Sequence, residues 1–279
     1  MRNTTHIILI TLLVLLASGF ALAQENTVDR VTVELTDPSK PATLKVGLVN
    51  GGITVTGYEG KEIIVEATSK MQKIDKRDKG SGKSSGMTRI AVNSSSLTVE
   101  EYQNEIEIGT DSWVNPVDLT IKVPKLTSLE LSCVNSGDIH VENITGVIEA
   151  SNINGTVTLL NVTGSAVASA HNGNVTVTFI AVDPEKDMAF SSFNGDVDVT
   201  FPASIKTKVK LKTVQGDIFT DFEIKQIESL ERVVTENRRD AGGKYQVKIE
   251  GAYWGTINGG GQEIQFSNYN GDIYIRAKK

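Results

Sequence analysis

Cysteine is almost missing from this chain. Cys133 is the single one among 279 residues, so no internal disulfide can staple the fold. Small secreted domains commonly depend on such bridges; this chain must depend on a large buried core. Histidine is nearly as scarce. His6 falls in the N-terminal leader, and His140 and His171 are not at metal-ligand spacing. A histidine metal centre or a Ser-His-acid triad therefore finds no support. The two-glycine calcium nonapeptide with its fixed aspartate is absent too. Positive charge is in the minority, with 28 Lys and Arg against 34 Asp and Glu and a net charge of −6. Nucleic-acid binding leans on basic side chains that neutralise phosphates, and this balance argues against it. After residue 23 no apolar run is long enough to cross a membrane as a helix.

The one long apolar run lies at the start. Arg2 precedes Ile7 to Leu16, and small residues lead to Ala21-Leu22-Ala23. A cationic start, an apolar core and an A-x-A site describe a secretory signal peptide over 1–23, cleaved before Gln24. The competing reading is an uncleaved anchor, but the apolar core falls short of the roughly 20 residues that a span needs. With no cysteine at the cleavage site, a lipid anchor is not expected. Cleavage removes Arg2 and no acidic residue, moving the net charge from −6 to −7. The expected destination is outside the cytoplasm: periplasm, cell surface or medium.

The rest of the chain, 24–279, repeats one pattern: apolar strand, Asn-Gly-Asp-like corner, apolar strand. FNGDVDV (Phe193 to Val199) is its cleanest copy. Others are VNGGITV from Val49, VNSGDIHV from Val134, INGTVTL from Ile153, HNGNVTV from His171, VQGDIF from Val214 and YNGDIYI from Tyr269. Gly137, Gly146, Gly155, Gly164 and Gly173 fall nine residues apart, so two arms make a coil of 18 residues. Before each corner, one column reads Leu44, Leu129, Ile148, Ala166, Met188, Val209, Ile264. Two residues on, it reads Val46, Leu131, Ala150, Ala168, Phe190, Leu211, Phe266. Polar residues stand between, as strands with one buried face require. The expected fold is all-β, a single-chain parallel β-solenoid whose coils stack in sequence order. Asn135, Asn154, Asn172, Asn194 and Gln215 are placed to form an amide ladder. Two segments break the pattern. Residues 71–86, rich in Lys, Gly and Ser, read as a mobile basic loop. Residues 223–240 carry Ile224, Ile227, Leu230 and Val234 at helical spacing, which predicts a short helical or loop insertion that caps the stack.

VDLTIKVPK (Val117 to Lys125) running into LELSCVNSGDIHVENITG, together with the closing TINGGGQEIQFSNYNGDIYI, resembles the bacterial putative-adhesin family of exported β-solenoid domains of unknown function. The resemblance covers roughly Val31 to Ile275. It implies the fold and an adhesin-like role, and it brings no catalytic residues.

The residues offer few chemical candidates. Asp138, Asp196, Asp217 and Asp272 follow corner glycines, and Asp198 lies two beyond Asp196. Were Gly195 and Gly216 on adjacent coils, Asp196, Asp198 and Asp217 would crowd one outward patch. Clustered carboxylates can bind a cation or work on sugars; equally, Asp is a good turn residue. Lys73, Lys76, Arg77 and Lys79 in the basic loop could meet an acidic polymer. Tyr253 and Trp254, with Tyr269 and Tyr274, form a late aromatic group suited to glycan contact or to edge capping. Cys133 reads as a small core filler. The expectation is a non-enzymatic binding or scaffold module of the cell envelope, without a cofactor. Its partner would be a glycan or an envelope or matrix polymer, and self-association is open. The competing readings are a polysaccharide-processing enzyme and a self-assembling filament.

Overall fold

A computed structural model describes residues 27–69, 96–110, 116–135, 137–227, 231–237, 245–250 and 252–279. The leader over 1–23 and the basic loop over 71–86 lie outside the described residues.

Strict alternation dictates strands, and each corner joins two of them. The strands are β1 (Thr27–Glu34), β2 (Ala42–Asn50), β3 (Ile53–Tyr58), β4 (Glu62–Ser69), β5 (Leu97–Tyr102), β6 (Glu105–Thr110), β7 (Val117–Pro124), β8 (Thr127–Asn135), β9 (Ile139–Glu142), β10 (Thr145–Asn152) and β11 (Val157–Asn172). They continue with β12 (Val175–Val182), β13 (Met188–Asn194), β14 (Val197–Phe201), β15 (Thr207–Gln215), β16 (Ile218–Thr220), β17 (Ile224–Gln226), β18 (Glu231–Asn237), β19 (Tyr245–Glu250), β20 (Tyr253–Ile257), β21 (Gln262–Asn270) and β22 (Ile273–Ala277). The arms before the corners form a first wall, and the arms after them form a second.

Every inward position in the two aligned columns is buried, from Leu44 to Ile264 and from Val46 to Phe266. Across the core, the second wall buries Ile139, Val141, Val157, Leu159, Val175, Val177, Val197 and Val199. Full burial of one such side chain is worth about 1.5–3 kcal/mol, which explains how the fold manages without disulfides. Along the stack the small inward residues Ala150 and Ala168 are followed by the large Phe190 and Phe266. Ala168 lies in register with Phe190, making room for a cluster in which Phe179 stacks on Phe201 at 5.3 Å and Phe190 meets Phe266 at 5.5 Å.

Three expectations need correction. First, the coils do not stack in sequence order. On the first wall, β2 lies between β6 and β8, so the coil of β6 and β7 sits below that of β2 and β3. At the other end β21 pairs with both β13 and β15, and β22 pairs with both β14 and β16. The closing coil is therefore wedged between the two that precede it. Phase alone cannot reveal this, because every coil offers the same pattern to any neighbour. Second, the sheet is mixed. The stacked coils pair in parallel, but β1 with β4, β4 with β7, β5 with β6 and β20 with both β15 and β17 are antiparallel. Third, there is no helical insertion among the described residues of 223–240. Ile224–Gln226 pairs with β20, and Glu231–Asn237 pairs with β19. The helical spacing there is carried by four residues, while β-branched Val233, Val234 and Thr235 favour extended backbone, and a partner strand is available. No helix among the described residues is long and apolar enough to cross a membrane.

Candidate functional site: corner ladders and outward faces

Three columns run along the corners, and each joins one coil to the next. In the first, an inward polar group donates to the corner-glycine carbonyl of the coil below. Cys133 Sγ donates to Gly51 O at 2.9 Å, Asn152 Nδ2 to Gly137 O at 2.9 Å and Ser192 Oγ to Gly173 O at 2.9 Å. Asn268 Nδ2 reaches Gly195 O at 2.8 Å, and Thr213 Oγ1 reaches Gly271 O at 3.4 Å. Chemically unlike residues do one task here: they satisfy a carbonyl that is buried at Gly51 and part-buried at the other corners, each such bond contributing about 0.5–1.5 kcal/mol. Burial pushes the Cys133 thiol above its ordinary pKa, which keeps it protonated and able to donate. It fills the core as expected, but it is also a clasp.

The second column is the amide ladder. Asn154 Nδ2 donates to Asn135 Oδ1 at 2.9 Å, Asn172 to Asn154 at 2.9 Å, Asn194 to Asn172 at 2.8 Å and Asn270 to Asn194 at 3.3 Å. Asn270 takes the place expected of Gln215, because the closing coil is inserted there.

The third column holds the carboxylates. Stack order runs Asp118, Gly52, Asp138, Thr156, Asn174, Asp196, Asp272, Asp217. Asp118 Oδ1 accepts from Gly52 N, Asp138 Oδ1 from Thr156 N and Asn174 Oδ1 from Asp196 N. Asp196 Oδ1 then accepts from Asp272 N at 2.9 Å, and Asp272 Oδ1 accepts from Asp217 N at 2.9 Å. Asp196 and Asp217 are thus not neighbours; Asp272 stands between them, and Tyr274 Oη donates to its second oxygen at 3.1 Å. Asp198 is turned elsewhere, accepting from Arg276 Nε at 2.8 and 3.0 Å. That bond holds the Arg276 guanidinium more firmly protonated than usual. No group of three or more His, Cys, Asp or Glu among the described residues could hold a metal ion. The carboxylates form one straight row along the stack. A glycosidase pair instead flanks a substrate from two sides.

The late aromatic residues do not form one patch. Tyr269 stacks on Phe193 at 4.6 Å, and Phe193 stacks on His171 at 4.8 Å, in a column along the outside of the first-wall corner. Tyr274 stacks on Phe219 at 5.2 Å on the second wall. Tyr253 and Trp254 lie on β20 near the end of the stack, with Lys210 Nζ over the Trp254 ring at 4.8 Å. The ring faces within each stack are turned to one another, so the columns show edges to solvent; sugar rings prefer faces. Sequence reasoning misses this His171–Phe193–Tyr269 column, although each member directly precedes a corner Asn. Lys73, Lys76, Arg77 and Lys79 lie outside the described residues.

Outward positions of the first wall are in register as well. One row runs Glu100, Glu107, Lys45, Glu130, Glu149, Val167, Ala189, Gln265, Lys210, Trp254. Beside it lie Gly109, Gly47, Ser132, Ser151, Ser169, Ser191, Ser267 and Lys212. The small residues leave a shallow trough of about 520 Å³, lined by Glu107, Lys45, Glu130 and Glu149.

With this geometry in place, the chain is assigned by its match to the Toastrack DUF4097 family over residues 23–252; it belongs to that family. The matched span stops short of the closing coil, which the structure nevertheless places inside the stack. A comparison with curated proteins gives no match. Among solved structures the chain is similar to a putative cell adhesion protein from Clostridium sporogenes, at 14% identity over 91% of this chain and 100% of that one, with a TM-score of 0.45. It is also similar to a putative adhesin from Bacteroides fragilis, at 14% identity over 91% of this chain and 98% of that one, with a TM-score of 0.33.

Proposed function

We propose that this protein is an exported, adhesin-like β-solenoid that works without catalysis, as a binding or scaffold module of the cell envelope. One observation carries the reading. The carboxylates that could have done chemistry, Asp196 and Asp272, accept hydrogen bonds from the backbone of the next coil, and Asp198 is held by Arg276. These three carboxylates are thus engaged in tying coil to coil, and the molecule is left with its long, register-matched outward faces. Such a face meets a repeating polymer through many weak contacts whose energies add. An envelope glycan or matrix polymer has the matching repeat. The leader over residues 1–23 supports export.

The test is a panel of purified peptidoglycan, alginate, pectin and collagen, scored for retention of the protein and for new reducing or unsaturated ends. Retention without turnover is expected, unchanged in Asp196→Asn, since Asn174 already does the same acceptor task one coil below. Turnover that Asp196→Ala abolishes would overturn the reading in favour of a polysaccharide-processing enzyme.

A further inference from the structure

We propose that the outer face of the first wall is the interface of an antiparallel, two-fold homodimer. Such a dimer covers the first wall and leaves the outward face of the second wall, with Thr54, His140, Thr158, Thr176 and Asp198 in register, to meet a polymer. The dimer is inferred from how charge is distributed along the stack.

The lower half of that face is acidic. Glu100, Glu105, Glu107, Glu130 and Glu149 point outward there, opposed by Lys45, which bonds Glu105. The upper half is basic, with Lys208, Lys210 and Lys212 on β15 and Lys225 on β17, against Glu263 on β21. The middle is neutral: Val167, Ser169, Ala189, Ser191 and Ser267 are short, and the stacked column of His171, Phe193 and Tyr269 borders them on the corner side. Val167 keeps 42% of its surface in solvent. These short side chains let a second copy come close.

Only one two-fold arrangement of the face on itself satisfies this pattern. An axis along the stack would lay acid on acid. An axis parallel to the strands reverses the stack and keeps each row over itself, so that the acidic half of each copy meets the basic half of the other. With the axis between β11 and β13, Glu130 faces Lys210 of the second copy and Glu105 faces Lys225. The lysines enter the trough that the glycines and serines leave between the glutamates. The size is also right. At ordinary strand and residue spacings the face measures about 45 Å by about 20 Å, so roughly 900 Å² per copy would be covered, within the range of a specific interface. The contact is isologous, hence closed at two copies.

Light scattering and sedimentation equilibrium on the mature chain test this. A dimer is expected in 50 mM salt, dissociating at least tenfold more readily in 1 M salt, because rim charges are screened. Lys208→Glu/Lys210→Glu/Lys212→Glu should be monomeric, and so should Glu107→Lys/Glu130→Lys/Glu149→Lys, each with its circular dichroism and melting temperature checked. An equimolar mixture of the two variants should recover a dimer. In the otherwise native chain, Ala189→Cys beside the axis should be joined to its own copy by a short bis-maleimide that spans the roughly 10 Å between facing sheets, whereas Thr178→Cys on the opposite wall should not. A monomer at all salts, a dimer indifferent to both charge reversals, or open-ended growth with concentration would each overturn the proposal, the last pointing to end-to-end stacking.

Discussion

Gly173 has no room for a side chain. A Cβ there would lie 2.2 Å from the carbonyl oxygen of Gly155 on the adjacent coil. Glycine at Gly195 has two causes at once: φ is +147°, and a Cβ would lie 2.4 Å from Gly173 O. The Asn-Gly-Asp pattern by itself points to backbone freedom as the reason for a corner glycine. At Gly173 the reason is the close approach of one coil to the next. Gly173→Ala should therefore cost at least about 3 kcal/mol. Gly109 is the control: it is the fifth of the six residues of β6, and a Cβ added there would meet nothing within 4 Å. Gly109→Ala should gain about 0.5–1 kcal/mol, the usual strand preference for Ala over Gly. Urea unfolding of the two variants reads both effects, and equal costs at the two sites would refute the account of the corner.

At the scale of the strand, the amide ladder ties each arm to its neighbours. Asn194 donates to Asn172 and accepts from Asn270. Asn194→Asp keeps the acceptor, loses the donor and sets a carboxylate against the Asn172 carbonyl oxygen. The neutral acid is favoured in the folded state, so the folded pKa rises above the unfolded value near 3.9. The sign follows: the penalty is full above the folded pKa and fades as pH falls through it. Relative to the native chain, the variant should be about 1–2 kcal/mol less stable at pH 7, and the gap in melting temperature should narrow by pH 4. A gap that is flat with pH would show that the ladder does not tie the coils together. How far these elements can be read from sequence depends on what repeats. Burial at Leu44, Phe190 and Ile264 is legible because alternation repeats in phase. The clasp at Cys133, Asn152, Ser192 and Asn268 is legible as a column but not as a device, since its members share only the ability to donate. The strands over 224–226 and 231–237 are hidden because helical spacing and β-branched residues compete there, and pairing partners far along the chain decide the outcome.

At the scale of the whole molecule, the order of the coils is the feature that phase cannot encode. Asp196 and Asp217 look adjacent in the sequence repeat for that reason, and the closing coil separates them. An interlocked stack makes a sharp prediction. Ser191 and Ser267 are register partners, and Ser267 is in turn the partner of Lys212, so Ser191 and Lys212 are two strands apart, about 9.6 Å. In the native background, where Cys133 is buried, Ser191→Cys/Ser267→Cys should oxidise to a disulfide and Ser191→Cys/Lys212→Cys should not, since Cα atoms more than about 7 Å apart cannot be bridged. A disulfide in the second pair alone would restore sequence-order stacking. The functional account makes its own demand on the whole molecule: corner chemistry holds the stack together, and the outward faces do the work beyond the cytoplasm. Protease treatment of intact cells, followed with an antibody against the mature chain, tests that demand most directly. Digestion without lysis is the predicted result; complete protection until the envelope is opened would contradict adhesion to external surfaces.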